Sequence, residues 1–151
     1  LKNVNRMIYH IVDFNKLPEK PTVARKIPTK DGKEIELLEL SHICGTVLDK
    51  NKMKNSISLL TPTGVVTVKI WKNQFAKYDK QISEIQSDGK KKVREKSWFS
   101  RGNLLYLQGV RRGDAFIPKA YKGSTHRVPI MKITSVEGDK IIFTDKRYDE
   151  E

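Results

Sequence analysis

Between Glu34 and Thr144 the chain alternates short β-type runs with turn signals, and a single stretch carries a helical stripe. Residues 35–40, 43–48, 56–60 and 65–70 are rich in aliphatic and β-branched side chains. The last run alternates, with Val66, Val68 and Ile70 on one face and Thr67 and Lys69 on the other. Thr61-Pro62-Thr63-Gly64 fits a β-turn, because proline presets φ at the second position and glycine suits the fourth. A helix is predicted next, capped by Asn73, striped by Phe75, Tyr78, Ile82 and Ile85, and ended by Ser87-Asp88-Gly89. Residues 104–110 read as a strand in which Gly109 marks a bulge or a close backbone approach. Pro118 argues for an edge position of residues 115–121, and residues 128–136 and 140–144 form a last hairpin around Glu137-Gly138-Asp139.

Several short strands with one helix after the third strand of the body predict an all-β (mainly β) OB-fold Greek-key barrel, its helix between strands 3 and 4. The prolines at 18, 21 and 28 break up what precedes, so residues 1–37 read as an N-terminal arm or linker from a preceding domain. Residues 38–144 form the barrel and 145–151 a charged tail. The chain starts at Leu1 in ordinary folded-type sequence, which reads as a piece of a longer protein.

Charge supplies the functional reading. The net charge is +12, and residues 90–127 hold eleven Lys and Arg against two acids, with five of the aromatic residues among them. Cations interleaved with flat rings on a β scaffold suit a phosphate backbone and stacked bases. Assigned from strand order, the loop between strands 1 and 2 carries Lys50, Lys52 and Lys54. The loop between strands 4 and 5, residues 111–127, carries Arg111, Arg112, Lys119, Tyr121, Lys122, His126 and Arg127. Those are the two loops that OB barrels use for binding. Lys90, Lys91, Lys92, Arg94 and Arg101 extend the basic track, and Lys69 with Trp71 adds a strand-face candidate. For Trp71, Trp98 and Tyr121, base stacking and core packing both remain open; adjacent Trp98 and Phe99 would point to opposite sides of an extended strand.

Residues 64–80 (GVVTVKIWKNQFAKYDK) and 96–122 (KSWFSRGNLLYLQGVRRGDAFIPKAYK) resemble the C-terminal OB region of the bacterial and phage DNA polymerase III alpha subunit. Phe14-Asn15-Lys16-Leu17-Pro18 and Ile43-Cys44-Gly45-Thr46-Val47 are similar to the approach to that domain. The resemblance covers most of residues 14–136, and its most specific part is Trp98-Phe99-x-Arg101-Gly102 followed by Gly109-x-Arg111-Arg112-Gly113-Asp114. It implies a module that guides single-stranded template in a replicative DNA polymerase. The parent's Mg²⁺-binding aspartates would lie in its palm, outside this chain, leaving this piece non-catalytic and without a cofactor of its own. The implied partners are single-stranded DNA, the rest of the polymerase chain and replisome proteins, with the piece itself monomeric.

The remaining chemistry is sparse. Cys44 is the single cysteine, which excludes an internal disulfide or a cysteine-rich zinc site and suits a reducing, cytoplasmic setting. His10, His42 and His126 have no local carboxylate or cysteine partners at ligand spacing, no nucleophile has an activating base, and no metal site is expected. No apolar run approaches the ~18 residues of a membrane helix, and no membrane partner is expected. An RNA- or tRNA-binding OB domain, a protein-docking module without nucleic-acid affinity, and a nuclease are the other readings.

Overall fold

Five strands close on one another in the computed structural model, which describes residues 4–7, 11–119, 129–137 and 140–144. In chain order the elements are β1 (Val4–Met7), a 3₁₀ turn at Phe14–Lys16, β2 (Val23–Pro28), β3 (Glu34–Leu38), β4 (Ser41–Asn51), β5 (Ser56–Thr61) and β6 (Gly64–Lys69). Then follow α1 (Lys72–Tyr78), β7 (Asp79–Ile85), β8 (Lys91–Ser97), β9 (Leu104–Arg112), β10 (Ala115–Pro118), β11 (Ile130–Glu137) and β12 (Lys140–Thr144). Antiparallel pairing joins β4 to β5, β5 to β6, β10 to β9, and β9 back to β4. The remaining seam is parallel, with Ala115 opposite Thr67 and Phe116 opposite Val68. That closed circuit, with α1 between its third and fourth strands, is the expected OB-type barrel.

Strand alternation fills the interior. Ile43, Val47, Ile57, Leu59, Val66, Val68, Leu105, Leu107 and Phe116 are buried there. The short helix turns Phe75 and Tyr78 inward onto Trp98 and Phe99: the Tyr78 and Trp98 rings lie 5.0 Å apart, as do those of Phe75 and Phe99. Outside the barrel, β11 and β12 extend the sheet, and β1 pairs with β12. Residues 1–37 thus supply both a strand of the main sheet and Phe14, buried in the barrel core.

Four local expectations are corrected. The helix stops at Tyr78 rather than running past Ile85, and its N-cap is Trp71, not Asn73. Tyr78 O accepts from Trp98 N at 3.0 Å and Asp79 is held by Lys50, which turns the chain into a β7–β8 hairpin instead. Asp88-Gly89, read as a helix terminator, is that hairpin's turn: Gly89 has φ +79° and Asp88 Oδ1 accepts from Lys90 N. Residues 23–28, expected to be broken up by proline, pair as β2 with β3, Pro28 falling at the strand end.

The fifth barrel strand is also reassigned. It begins at β10, not at residue 128, so Ala115–Pro118 lies between β6 and β9 rather than at an edge. β11 then continues along the same side of β9, with Ile117 opposite Val110 and Pro118 opposite Gly109 in β10, and Ile130 opposite Leu107 in β11. The fifth strand is therefore split between β10 and β11. Gln108 is bonded to residues of both flanks: its backbone carbonyl accepts from Lys119 N at 2.8 Å and its backbone N–H donates to Pro129 O at 2.9 Å. Finally, Trp98 and Phe99 sit in a turn, where Phe99 N donates to Ser97 Oγ and Asn103 Nδ2 donates to Trp98 O. Both rings are buried, at 1% and 0% exposure.

Candidate nucleic-acid interface

The outward side of β5 and β6 forms a shallow strip. Cross-strand register sets Leu60 against Val65, Ser58 against Thr67 and Ser56 against Lys69. Leu60 and Val65 are exposed apolar residues, the Ser58 and Thr67 side chains next along the strip are short, and Lys69 is exposed at the other end. Two residues further, on the same alternation, Trp71 is 69% exposed. Ile70 N donates to Asn55 O at 2.9 Å, which sets the start of Trp71 beside the β4–β5 turn. That turn carries exposed Lys52, Met53 and Lys54, and its shape is fixed by Asn51 Oδ1 accepting from Lys54 N. An exposed indole between Lys69 and Lys72, next to a basic turn, presents a base-sized flat surface within reach of phosphate partners. Lys72 and Met53 escaped the sequence reading, although adjacency to Trp71 is a usable signal for Lys72.

The basic residues of this end are not equivalent. Lys50 Nζ donates to Asp79 Oδ1 at 2.7 Å, with the Asp79 side chain 5% exposed, and Lys52 Nζ lies 3.9 Å from Asp79 Oδ2. Lys50 thus ties β4 to the start of β7, and Lys52, half exposed, faces outward from the same acid.

At the opposite end the lead-in segment lies over the barrel. The Arg111 guanidinium sits 4.4 Å from the centroid of the Phe14 ring, and its Nη1 donates to Phe14 O at 3.1 Å and Leu17 O at 3.0 Å. Its Nε donates to Gly113 O at 2.7 Å. Gly113 N donates to Glu19 O, and Thr63 Oγ1 donates to Asp13 Oδ1 at 2.7 Å. The Thr63 bond, then the Asn15 amide, hold the Asp13 carboxyl below its usual range. Its contribution to stability is present above the unfolded-state pKa and is lost as pH falls through the folded one. Arg111 is therefore a clamp on the lead-in, whereas Arg112 is exposed. Alanine at position 111 is expected to lower stability by about 1.5 to 3 kcal/mol, as loss of charged hydrogen bonds does, read as a lower urea midpoint. Alanine at 112 should leave that midpoint unchanged.

Lys90, Lys91 and Lys92 are exposed on the β7–β8 hairpin, and Arg101 is exposed in the loop before β9. Arg94 lies on β8, opposite Ile82 in register. Trp98 belongs to the core, and Lys119 is exposed at the foot of the basic segment. Tyr121, Lys122, His126 and Arg127 lie outside the described residues, as does His10. His42 Nε2 lies 3.1 Å from Gln108 Oε1 and its ring stacks on Tyr106 at 5.3 Å. Burial pushes the Cys44 thiol up, so alkylation of the folded protein near pH 8 is expected to be slower than that of the unfolded chain. Among the described residues no three His, Cys, Asp or Glu side chains gather in a metal-binding group. None of the described helices is long and apolar enough to cross a membrane.

Comparison with known proteins adds two relatives. Over 148 residues, 97% of this chain, the sequence is 47% identical to the probable DNA polymerase YorL of Bacillus subtilis strain 168 and to the DNA-directed DNA polymerase of Bacillus phage SPbeta. The chain spans 11% of the length of each. No protein-family model matches the chain, and no solved structure matches it.

Proposed function

We propose that this barrel binds single-stranded DNA, largely without sequence preference, as a module of a replicative DNA polymerase of the polymerase III alpha type acting in the cytoplasm. The reading is carried by Trp71, an indole 69% exposed at the end of β6 with lysines on both sides. A large ring left in solvent contributes nothing to the core, and stacking on an unpaired base gives it a partner. The strip of Ser58 and Thr67 leading to it has short side chains, so a strand can lie flat across the face. Likeness to two DNA polymerases supports the choice of nucleic acid as the occupant. Within a longer polymerase the rest of that chain would deliver the template, and no step of this function runs through a metal ion.

Fluorescence anisotropy with a labelled single-stranded oligonucleotide tests the proposal. The substitution Trp71→Ala is expected to weaken binding by about 5- to 160-fold, the equivalent of ~1 to 3 kcal/mol per stacked base, with the melting temperature unchanged. Lys52→Ala and Lys54→Ala together should flatten the log–log dependence of single-strand affinity on salt by about 1.4. Equal affinity of Trp71→Ala and the parent chain would overturn the assignment, as would tighter binding to structured RNA than to the DNA strand.

A further inference from the structure

β7 and β8 make a sheet of their own, paired from Asp79 opposite Ser97 to Ile85 opposite Lys91. Every residue from Ser83 to Val93 is exposed. At about 3.3 Å per residue the ribbon is roughly 20 Å long. The period of two sorts its charges. By backbone register, positions 80, 82, 84, 92, 94 and 96 share one face of the ribbon, and at those positions the sequence has four cations and one acid. Positions 79, 81, 83, 85, 91, 93, 95 and 97 share the other, where the sequence has one cation and two acids.

We propose that this ribbon contacts duplex DNA, resting on the nucleic-acid reading above, with the Lys92 side facing the phosphates of the major groove. Two observations select duplex over single strand. Residues 79–97 contain no aromatic side chain, so the ribbon offers unpaired bases nothing to stack on. Two strands about 4.8 Å apart with their side chains fit a groove about 12 Å wide, which admits a β-ribbon. Since Asp79, at the ribbon's base, is held by Lys50 and Lys52 of the β4–β5 end, the ribbon leaves the barrel from the end that carries Trp71. One end of the molecule would then meet both arms of a junction between duplex and single strand.

Lys91→Glu and Lys92→Glu change charge identically, one residue apart, on opposite sides. In anisotropy titrations of the full 151-residue chain with labelled duplex and single-stranded DNA, Lys92→Glu should weaken duplex binding about fivefold and Lys91→Glu less than about twofold. A second variant replaces residues 81–95 with Asn-Gly, joining Lys80 to Lys96 where they already face each other. The segment removed holds four cations and three acids, so net charge changes by only one. This shortened chain should lose at least about tenfold in duplex affinity at about 0.1 M salt and keep single-strand affinity within about twofold. Equal effects of the two glutamates, undiminished duplex binding without the ribbon, or a parallel fall on single strands would each overturn the proposal. Failure of the Trp71 reading registers separately, in the single-strand titration of Trp71→Ala.

Discussion

Alanine in place of Trp98 is expected to cost about 3 to 5 kcal/mol, the range for truncating a fully buried aromatic side chain. Against a total stability of about 5 to 15 kcal/mol, that removes a fifth of it at the least and all of it at the most. The indole is 1% exposed and lies 5.0 Å from the Tyr78 ring, while Tyr78 also meets Phe99 and Phe99 meets Phe75. The backbone that carries three of these rings is held by hydrogen bonds: Trp98 N to Tyr78 O, Asn103 Nδ2 to Trp98 O, and Phe99 N to Ser97 Oγ. Such a turn cannot collapse into the space left by a missing indole, so most of the cavity would persist. Trp71→Ala should change stability by no more than about 0.5 kcal/mol, as surface substitutions do, and so barely move the urea midpoint. Parallel urea titrations followed by circular dichroism decide the matter. A Trp98→Ala midpoint equal to that of Trp71→Ala would mean the aromatic group does not hold the barrel together.

The contrast between these two tryptophans shows how far the sequence alone could be read. Strand alternation was enough to set Trp71 opposite Val68 and Ile70, because β6 is regular and its inward side is uniformly aliphatic. Trp98 could not be placed, because its position depends on a turn whose bonds come from Asn103, five residues on, and from Tyr78 on another element. The helix overran for a similar reason. Ile82 and Ile85 satisfy the helical period as well as Phe75 and Tyr78 do, and only the hold of Lys50 on Asp79 and the pairing with residues 91–97 decide for a strand. Arg111 and Arg112 are indistinguishable in sequence, yet the lead-in carbonyls at Phe14 and Leu17, nearly a hundred residues earlier, commit one of them to structure. Strand order gave the barrel; the reassigned fifth strand shows its limit, since a split strand and a long hairpin loop have the same local composition.

Gly109→Ala is expected to cost more than about 3 kcal/mol, beyond the usual range for an added methyl in a packed core, because the obstacle is backbone. A Cβ there would run into Ile117 O and lie 2.8 Å from Ile117 C and 2.9 Å from Pro118 Cα. β10 cannot retreat to make room: its other edge is bonded to β6 through Ala115 and Phe116, and the Phe116 ring is fully buried. β9 cannot retreat either, since Gly109 is also opposite Ser41 of β4. The methyl would therefore part β9 from β10, and β10 supplies the parallel pairing that closes the barrel. Gly113, four residues on, is the control. Its φ of +61° carries a strain of about 1 to 2 kcal/mol for alanine, but nothing lies within 4 Å of the added carbon. Urea midpoints of the two variants should thus differ widely, with Gly109→Ala poorly folded or insoluble and Gly113→Ala folded. Similar midpoints would show that the β9–β10 seam has room to give, and that barrel closure does not depend on the approach of these two strands.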